Sequence, residues 1–157
     1  PDFTVRQNIT APFLRDFDTM GVMRVSRERT ESRGMVKSMG IKCSSEEATL
    51  DSLSGGNQQK VIIGRWLAAN PQFLILDEPT RGIDVGAKTE IQNLIIDLSE
   101  QDMGILFISS ELEEVARCST KVMIMHAFSV VDQLQGDNIH EGAITQSIAR
   151  RYASDAS

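Results

Sequence analysis

The sequence predicts an α/β fold: a parallel sheet flanked by helices, preceded by a helical portion. Two observations carry the sheet. From Gly55 onward short apolar runs alternate with helical periodicity, and Ile105-Leu106-Phe107-Ile108 is continuously apolar, as a strand covered on both faces requires. A third sets the beginning of the chain apart. Residues 25–39 are rich in Arg, Glu and Ser with only Val36 and Met39 as an apolar edge, which predicts a mostly exposed helical subdomain within residues 1–52.

The elements follow in order. Residues 57–69 are predicted as a helix carrying Val61, Ile62, Trp66 and Leu67, stopped by Asn70-Pro71. Residues 73–76 read as a buried strand. Over 86–100, Ile91, Leu94, Ile95 and Leu98 stand at i, i+3, i+4 and i+7, one apolar stripe facing a sheet. Residues 105–108 are a strand ended by Ser109-Ser110, 111–117 a short helix and 122–125 a third strand. Residues 128–134 can pair with 121–126 as a hairpin, although the connecting His126-Ala127 lacks the Gly or Asn that tight turns favour. A closing helix over 140–151 uses Ile144 and Ile148, and residues 153–157 are expected to fray. Ser44-Ser45-Glu46-Glu47 suits a surface turn or a helix cap.

Length and composition fit a globular chain. The 157 residues are enough to bury about two-thirds of the unfolded surface. The 41% hydrophobic and 24% charged content is unlike that of a disordered chain. A net charge of −6 has the wrong sign for a surface that gathers phosphate backbones, so nucleic acid is not an expected partner. No apolar run approaches the ~20 residues that span a bilayer, and Arg6, Asp16 and Asp18 stand where a signal peptide would be apolar. A soluble, cytoplasmic chain is expected. Cys43 and Cys118 form no Cys-x-x-Cys, and His126 and His140 read as structural or solvated groups.

Two motifs carry chemistry. Ser54-Gly55-Gly56 before a helix offers free backbone N–H groups, no Cβ obstruction and the positive end of the helix dipole, which suit a phosphate. Read alone, the segment is better explained by Ser54 as a helix N-cap and the two glycines as a tight turn. Asp77-Glu78 changes that weighting, because two carboxylates at the carboxyl end of an apolar strand lie where open α/β sheets bind ligands. Asp77 is suited to hold Mg²⁺ through water, and Glu78 to orient or deprotonate a water attacking a γ-phosphate. Gly82 and Gly86 give the following loop, 81–86, freedom for sharp turns, with Asp84 read alone as a helix cap. The acids of 111–114 read as a solvated helix face. No Gly-x-x-x-x-Gly-Lys-Ser/Thr occurs in the sequence.

Together these residues resemble the ATP-binding cassette ATPases. Leu53-Ser54-Gly55-Gly56 is similar to their signature motif, residues 74–78 to Walker B and 82–84 to the D-loop. The likeness is best over about 50–126, while residues 1–49 add Val5-Arg6-Gln7-Asn8-Ile9 and the helical composition. It implies a P-loop NTPase-like partial sheet with residues 1–52 in the helical subdomain and 53–157 in the α/β portion of the same nucleotide-binding domain. It implies ATP and Mg²⁺ as cofactors, with Leu53, Ser54, Gly55, Gly56, Asn57, Gln58 and Asp84 near nucleotide. It also makes Glu78 the catalytic carboxylate, Asp77 the metal residue, and Ser110 the occupant of the switch-histidine position. The part of a cassette containing Walker A has no counterpart among these residues, so the chain alone is expected to turn over little ATP.

Within the superfamily the form Leu53-Ser54-Gly55-Gly56-Asn57-Gln58-Gln59-Lys60 is similar to bacterial monosaccharide importers whose ATPase has two cassettes in tandem. Residues 77–88, and Ile108-Ser109-Ser110-Glu111 in place of Ile-Ser-His, resemble the second cassette. The resemblance implies a second nucleotide-binding domain, in tandem or as a dimer, and membrane permease subunits as partners. The location it implies is peripheral, on the cytoplasmic face of the bacterial inner membrane. In that arrangement residues 54–56 face the partner cassette's ATP, whereas Asp77 and Glu78 serve the nucleotide of their own cassette. Ser110 removes an imidazole that elsewhere contacts the γ-phosphate, which argues against hydrolysis at this site. His126-Ala127-Phe128-Ser129 departs from the usual charged residue and Gly, predicting a changed or strained turn. The alternative is a non-catalytic truncated cassette that docks on a complete ATPase as a regulatory partner.

Overall fold

The computed structural model of the chain describes residues 3–19, 22–23 and 25–155. In chain order these form α1 (Val5–Thr10), β1 (Asp18–Thr19), β2 (Val22–Met23), α2 (Val25–Ser38), α3 (Gly55–Leu67), β3 (Phe73–Asp77) and α4 (Val85–Glu100). There follow β4 (Gly104–Ile108), α5 (Leu112–Cys118), β5 (Lys121–His126), β6 (Ser129–Gln135) and α6 (Glu141–Asp155). They pack as two compact units, residues 1–74 with 80–104, and residues 75–79 with 105–157.

In the first unit α3 packs against both α1 and α4, burying Val5, Ile9, Val61, Ile63, Ile91 and Ile95. The capping box between Thr4 and Gln7 starts α1, a short helix that the sequence pattern did not reveal. As predicted, α2 is mostly exposed; it buries the polar Glu28 and Ser32, while Met35 near its end and the buried Met39 just beyond it lie against Gly64 of α3. Arg6 of α1 reaches Glu28 at 2.7 Å, and Thr10 Oγ1 donates to the same carboxylate at 2.7 Å. Arg6 and Arg29 both hold Glu47, and Arg33 holds Glu46. The polar 44–47 segment is therefore an ion-pair anchor as well as a turn. Charge pairs thus join α1, α2 and that segment where apolar side chains are few.

Hydrogen bonds Gly104 N to Gln72 O and Glu78 N to Ile108 O join β3 and β4 in the same chain direction, which makes the pair parallel. Both strands stand where the sequence places them, but β3 is covered on one face only. Leu74 and Leu76 of β3 are buried while Phe73 and Ile75 are 57% and 61% exposed, and Ile108 of β4 is 43% exposed.

In the second unit Val122 and Ile124 of β5 and Ile144 of α6 form the core, with Leu112, Val115, Leu134 and Ile148 around it. Strand β5 pairs with β6 as an antiparallel hairpin, the pairing that the sequence allowed for 121–126 and 128–134, with a bulge after Ile124; it is hydrogen-bonded to β6 and not to the parallel pair β3-β4. Its connection is the two-residue loop Ala127-Phe128, with φ of 46° and 62°. Left-handed backbone at both positions is the type I′ geometry, made here without Gly or Asn. The expected strain is present, and Phe128 is fully exposed.

Several boundaries move by one to four residues. Helix α3 begins at Gly55 rather than 57, α4 at Val85, and α6 reaches Asp155, so fraying does not begin at 153. The expectation for residues 156–157 lies outside the described residues. Glu114 departs from the solvated helix face expected of residues 111–114: its side chain is buried and accepts from Ser109 Oγ at 3.1 Å. His140 accepts the Ala143 N–H through Nδ1 and so starts α6. Both cysteines are free, and burial pushes the Cys118 thiol up to about 11, consistent with an inert structural group.

Candidate functional site

The glycine-rich segment becomes the first turn of α3. Ser54 is the N-cap by backbone conformation, with φ −61° and ψ 154°, yet its side chain makes no capping bond to the helix. Its Oγ instead accepts from Asn57 Nδ2 at 2.8 Å, and Asn57 Oδ1 accepts from the backbone N–H of Lys42 at 2.7 Å. Ser54 and Gly55 are exposed, whereas Leu53 and Gly56 are buried. Gln58 turns back onto the backbone, Nε2 donating to Leu53 O at 2.8 Å. An open cleft of about 590 Å³ is lined by Lys42, Cys43, Ser44, Leu53, Ser54 and Asn57.

Gly56 has a packing duty that the phosphate argument did not anticipate. A Cβ on it would stand 2.4 Å from the Cβ of Ala87 in α4, so only glycine allows these two helices to approach. Asp84 fixes the position of Ala87 by capping α4, accepting the Ala87 N–H at 2.9 Å. The loop before it turns at Gly82 with φ 77°, whereas Gly86 is already helical.

Lys60 ties the same helices one turn further on. Buried to 7% exposure, it places Nζ 2.7 Å from Glu90 and 3.2 Å from Gly40 O. Lys42 Nζ reaches the other Glu90 oxygen at 3.4 Å. The Lys60 hydrogen bond, then the Lys60 charge, then Lys42 hold the Glu90 carboxyl below the ordinary carboxylate range. Lys42 and Glu90 escaped sequence reasoning, since their partners lie 15 to 48 residues away with no local pattern to pair them.

In the second unit Asp77 closes β3 with its side chain exposed. Glu78 follows in left-handed backbone, φ 47°, its N–H on Ile108 O at 2.9 Å. Its Oε1 accepts the backbone N–H of Ser110 at 2.9 Å. Glu78 and Ser110, assigned to one reaction by the resemblance, are thus in direct contact. Ser109 Oγ is held apart, donating to Glu114 and accepting from Glu111 N.

A family model described as ABC transporter matches residues 1–81, just over half of the chain. The chain belongs to the ABC transporter family. Among ABC transporter proteins, the ribose import ATP-binding protein of Geobacillus kaustophilus is 44% identical over 146 residues, covering 93% of this chain and 30% of the relative. The fructose import ATP-binding protein of Bifidobacterium longum is 42% identical over 153 residues, covering 94% and 29%. The chain thus spans less than a third of the curated relatives it matches. The ADP conformation of an ABC transporter cassette superposes with TM-score 0.76 at 19% identity, covering 97% of this chain and 63% of the other. A dimeric bacterial ABC transporter cassette gives 0.70 at 24% identity, covering 85% and 56%. The α/β ABC ATPase fold expected from the sequence is therefore the observed one.

Proposed function

We propose that this chain serves as part of the ATP-binding subunit of a bacterial monosaccharide importer, coupling ATP binding and hydrolysis to uptake. Residues 1–52 form the helical portion and 53–157 the α/β portion of one nucleotide-binding domain, the second of two cassettes. The observation that carries this reading is the start of α3: Ser54 and Gly55 exposed at a helix N-terminus, with the Ser54 hydroxyl not consumed by a cap. The names of the ribose and fructose import relatives support the substrate class. Among the described residues no helix is long and apolar enough to cross a membrane, which fits a subunit held peripherally, on the cytoplasmic face, by permease partners.

The residues present fit ATP and Mg²⁺. The N-terminal turn of α3, with Ser54 and Gly55 exposed, suits phosphate oxygens of a nucleotide on a partner cassette. The exposed Asp77 carboxylate suits a hydrated divalent ion. Among the described residues no cluster of three or more His, Cys, Asp or Glu stands ready as a cage, and Mg²⁺ ordinarily keeps several waters. Magnesium bound there supplies neutralisation of phosphate charge. Glu78, fixed by Ser110 N–H, orients the water, and Asp84 acts by holding the loop that precedes α4. The net charge of −6 supports a partner set without nucleic acid.

Ser54→Ala in the assembled importer ATPase tests the reading. Loss of one preorganised donor should lower ATP hydrolysis and sugar uptake in proteoliposomes together, by about 10- to 10³-fold. Unchanged hydrolysis would sink the assignment. The purified 157-residue chain, which contains no Gly-x-x-x-x-Gly-Lys-Ser/Thr, should show little ATP turnover, and multiple turnovers by it would overturn that part.

A further inference from the structure

We infer that Asn57 is a positioning residue: it holds the Ser54 hydroxyl so that its single hydrogen faces an incoming phosphate. The inference rests on the reading of Ser54 as phosphate-facing and adds how that donor is prepared. A backbone N–H can only donate, so the 2.7 Å contact from Lys42 N fixes which end of the Asn57 amide is oxygen. The amide NH₂ must then face Ser54, and at 2.8 Å it makes the Ser54 oxygen an acceptor. A serine hydroxyl has one hydrogen. With its oxygen accepting from Asn57, and with no capping bond from α3, that hydrogen is directed away from Asn57 on an exposed side chain.

The clamp is itself held at its far end. Lys42 is one residue beyond Ile41 and two beyond Gly40, whose carbonyl accepts from Lys60 at 3.2 Å. Asn57 and Lys60 are three apart on α3, so one helix face grips the 40–42 segment at both ends. Glu90 holds Lys60 at 2.7 Å and Lys42 at 3.4 Å. A donor fixed in this way needs no reorganisation when phosphate arrives, which is the condition under which a hydrogen bond contributes most to a charged transition state.

Two substitutions give opposite signatures for positioning and for mere structural support. Asn57→Asp keeps an acceptor for Lys42 N–H but replaces the donor facing Ser54 by an acceptor, which captures the hydroxyl hydrogen. Asn57→Ala loses both contacts but captures nothing. Measured in the assembled importer ATPase, Asn57→Asp should lower kcat about 10-fold or more, Asn57→Ala less, and KM for ATP should move less than about threefold in both. A structural role predicts the reverse order, because Ala loses the Lys42 bond that Asp retains. Added negative charge near phosphate would also favour that order, so the cycle with Ser54→Ala decides. In the Ser54→Ala background Asn57→Asp should cost less than about twofold, since there is no hydroxyl left to misdirect. Multiplying losses, the reversed order, or a silent Asn57→Asp beside a damaging Ser54→Ala would each overturn the inference alone. A silent Ser54→Ala would overturn the phosphate-facing reading, and this inference with it.

Discussion

Glu78 Oε1 accepts the backbone N–H of Ser110 at 2.9 Å, so the carboxylate at the end of β3 is held by main chain and not by the Ser110 hydroxyl. The resemblance made position 110 important for the side chain it lacks. In this structure the position acts through its peptide group, which any residue but proline supplies. Ser110→Ala should therefore leave thermal stability within about 0.5 kcal/mol, whereas Ser110→Pro removes the donor and should cost about 1–3 kcal/mol. Equal losses in both variants, read by chemical denaturation, would show that the hydroxyl matters after all.

Gly56 separates packing from phosphate chemistry. Gly56→Ala places a Cβ 2.4 Å from that of Ala87 and should destabilise the chain by about 1–3 kcal/mol. Adding Ala87→Gly removes the clash and should recover most of that loss, less about 1 kcal/mol for glycine within a helix. If the double variant is no more stable than Gly56→Ala, the close helix approach is not the reason for glycine here.

The hairpin loop carries removable strain. Ala127 and Phe128 occupy left-handed backbone that Asn-Gly adopts readily. Ala127→Asn with Phe128→Gly should stabilise by about 1 kcal/mol, raising the midpoint of thermal unfolding by about 2–4 °C. A lower midpoint would contradict the type I′ assignment.

Acid should find the ion pairs before it finds the core. Hydrogen bonds from Arg33, Arg6 and Lys60 hold Glu46, Glu47 and Glu90 below their ordinary value of 4.5, and one from Ser147 lowers Asp132 below 3.8. Folded values below unfolded ones mean that the unfolded chain binds more protons in this range. The stabilisation is present above the ordinary values and is lost as pH falls through the lowered ones. Glu90→Gln should therefore narrow the difference in thermal midpoint between about pH 5 and about pH 3 relative to the parent. An unchanged difference would remove Glu90 from the acid response.

The sequence by itself determined the family, the α/β class and most of the elements, and it marked the candidate site residues. These are local properties: periodicity over ten residues, a glycine pair before a helix, two acids after an apolar run. It also marked residues 126–129 as an abnormal turn, because turn geometry depends on the few residues within it. Only the tertiary structure decided which groups meet. That Glu28 and Glu114 are buried, that Gly56 serves Ala87, and that Asn57 joins Lys42 to Ser54 depend on segments brought together from far apart in the chain. The one-sided exposure of β3 is equally a property of the packing around it, since an apolar run has the same composition whether one face or two are covered. A carboxylate or an amide carries no sign of its future partner in its own sequence neighbourhood; burial and hydrogen-bond geometry assign that partner once the chain has folded.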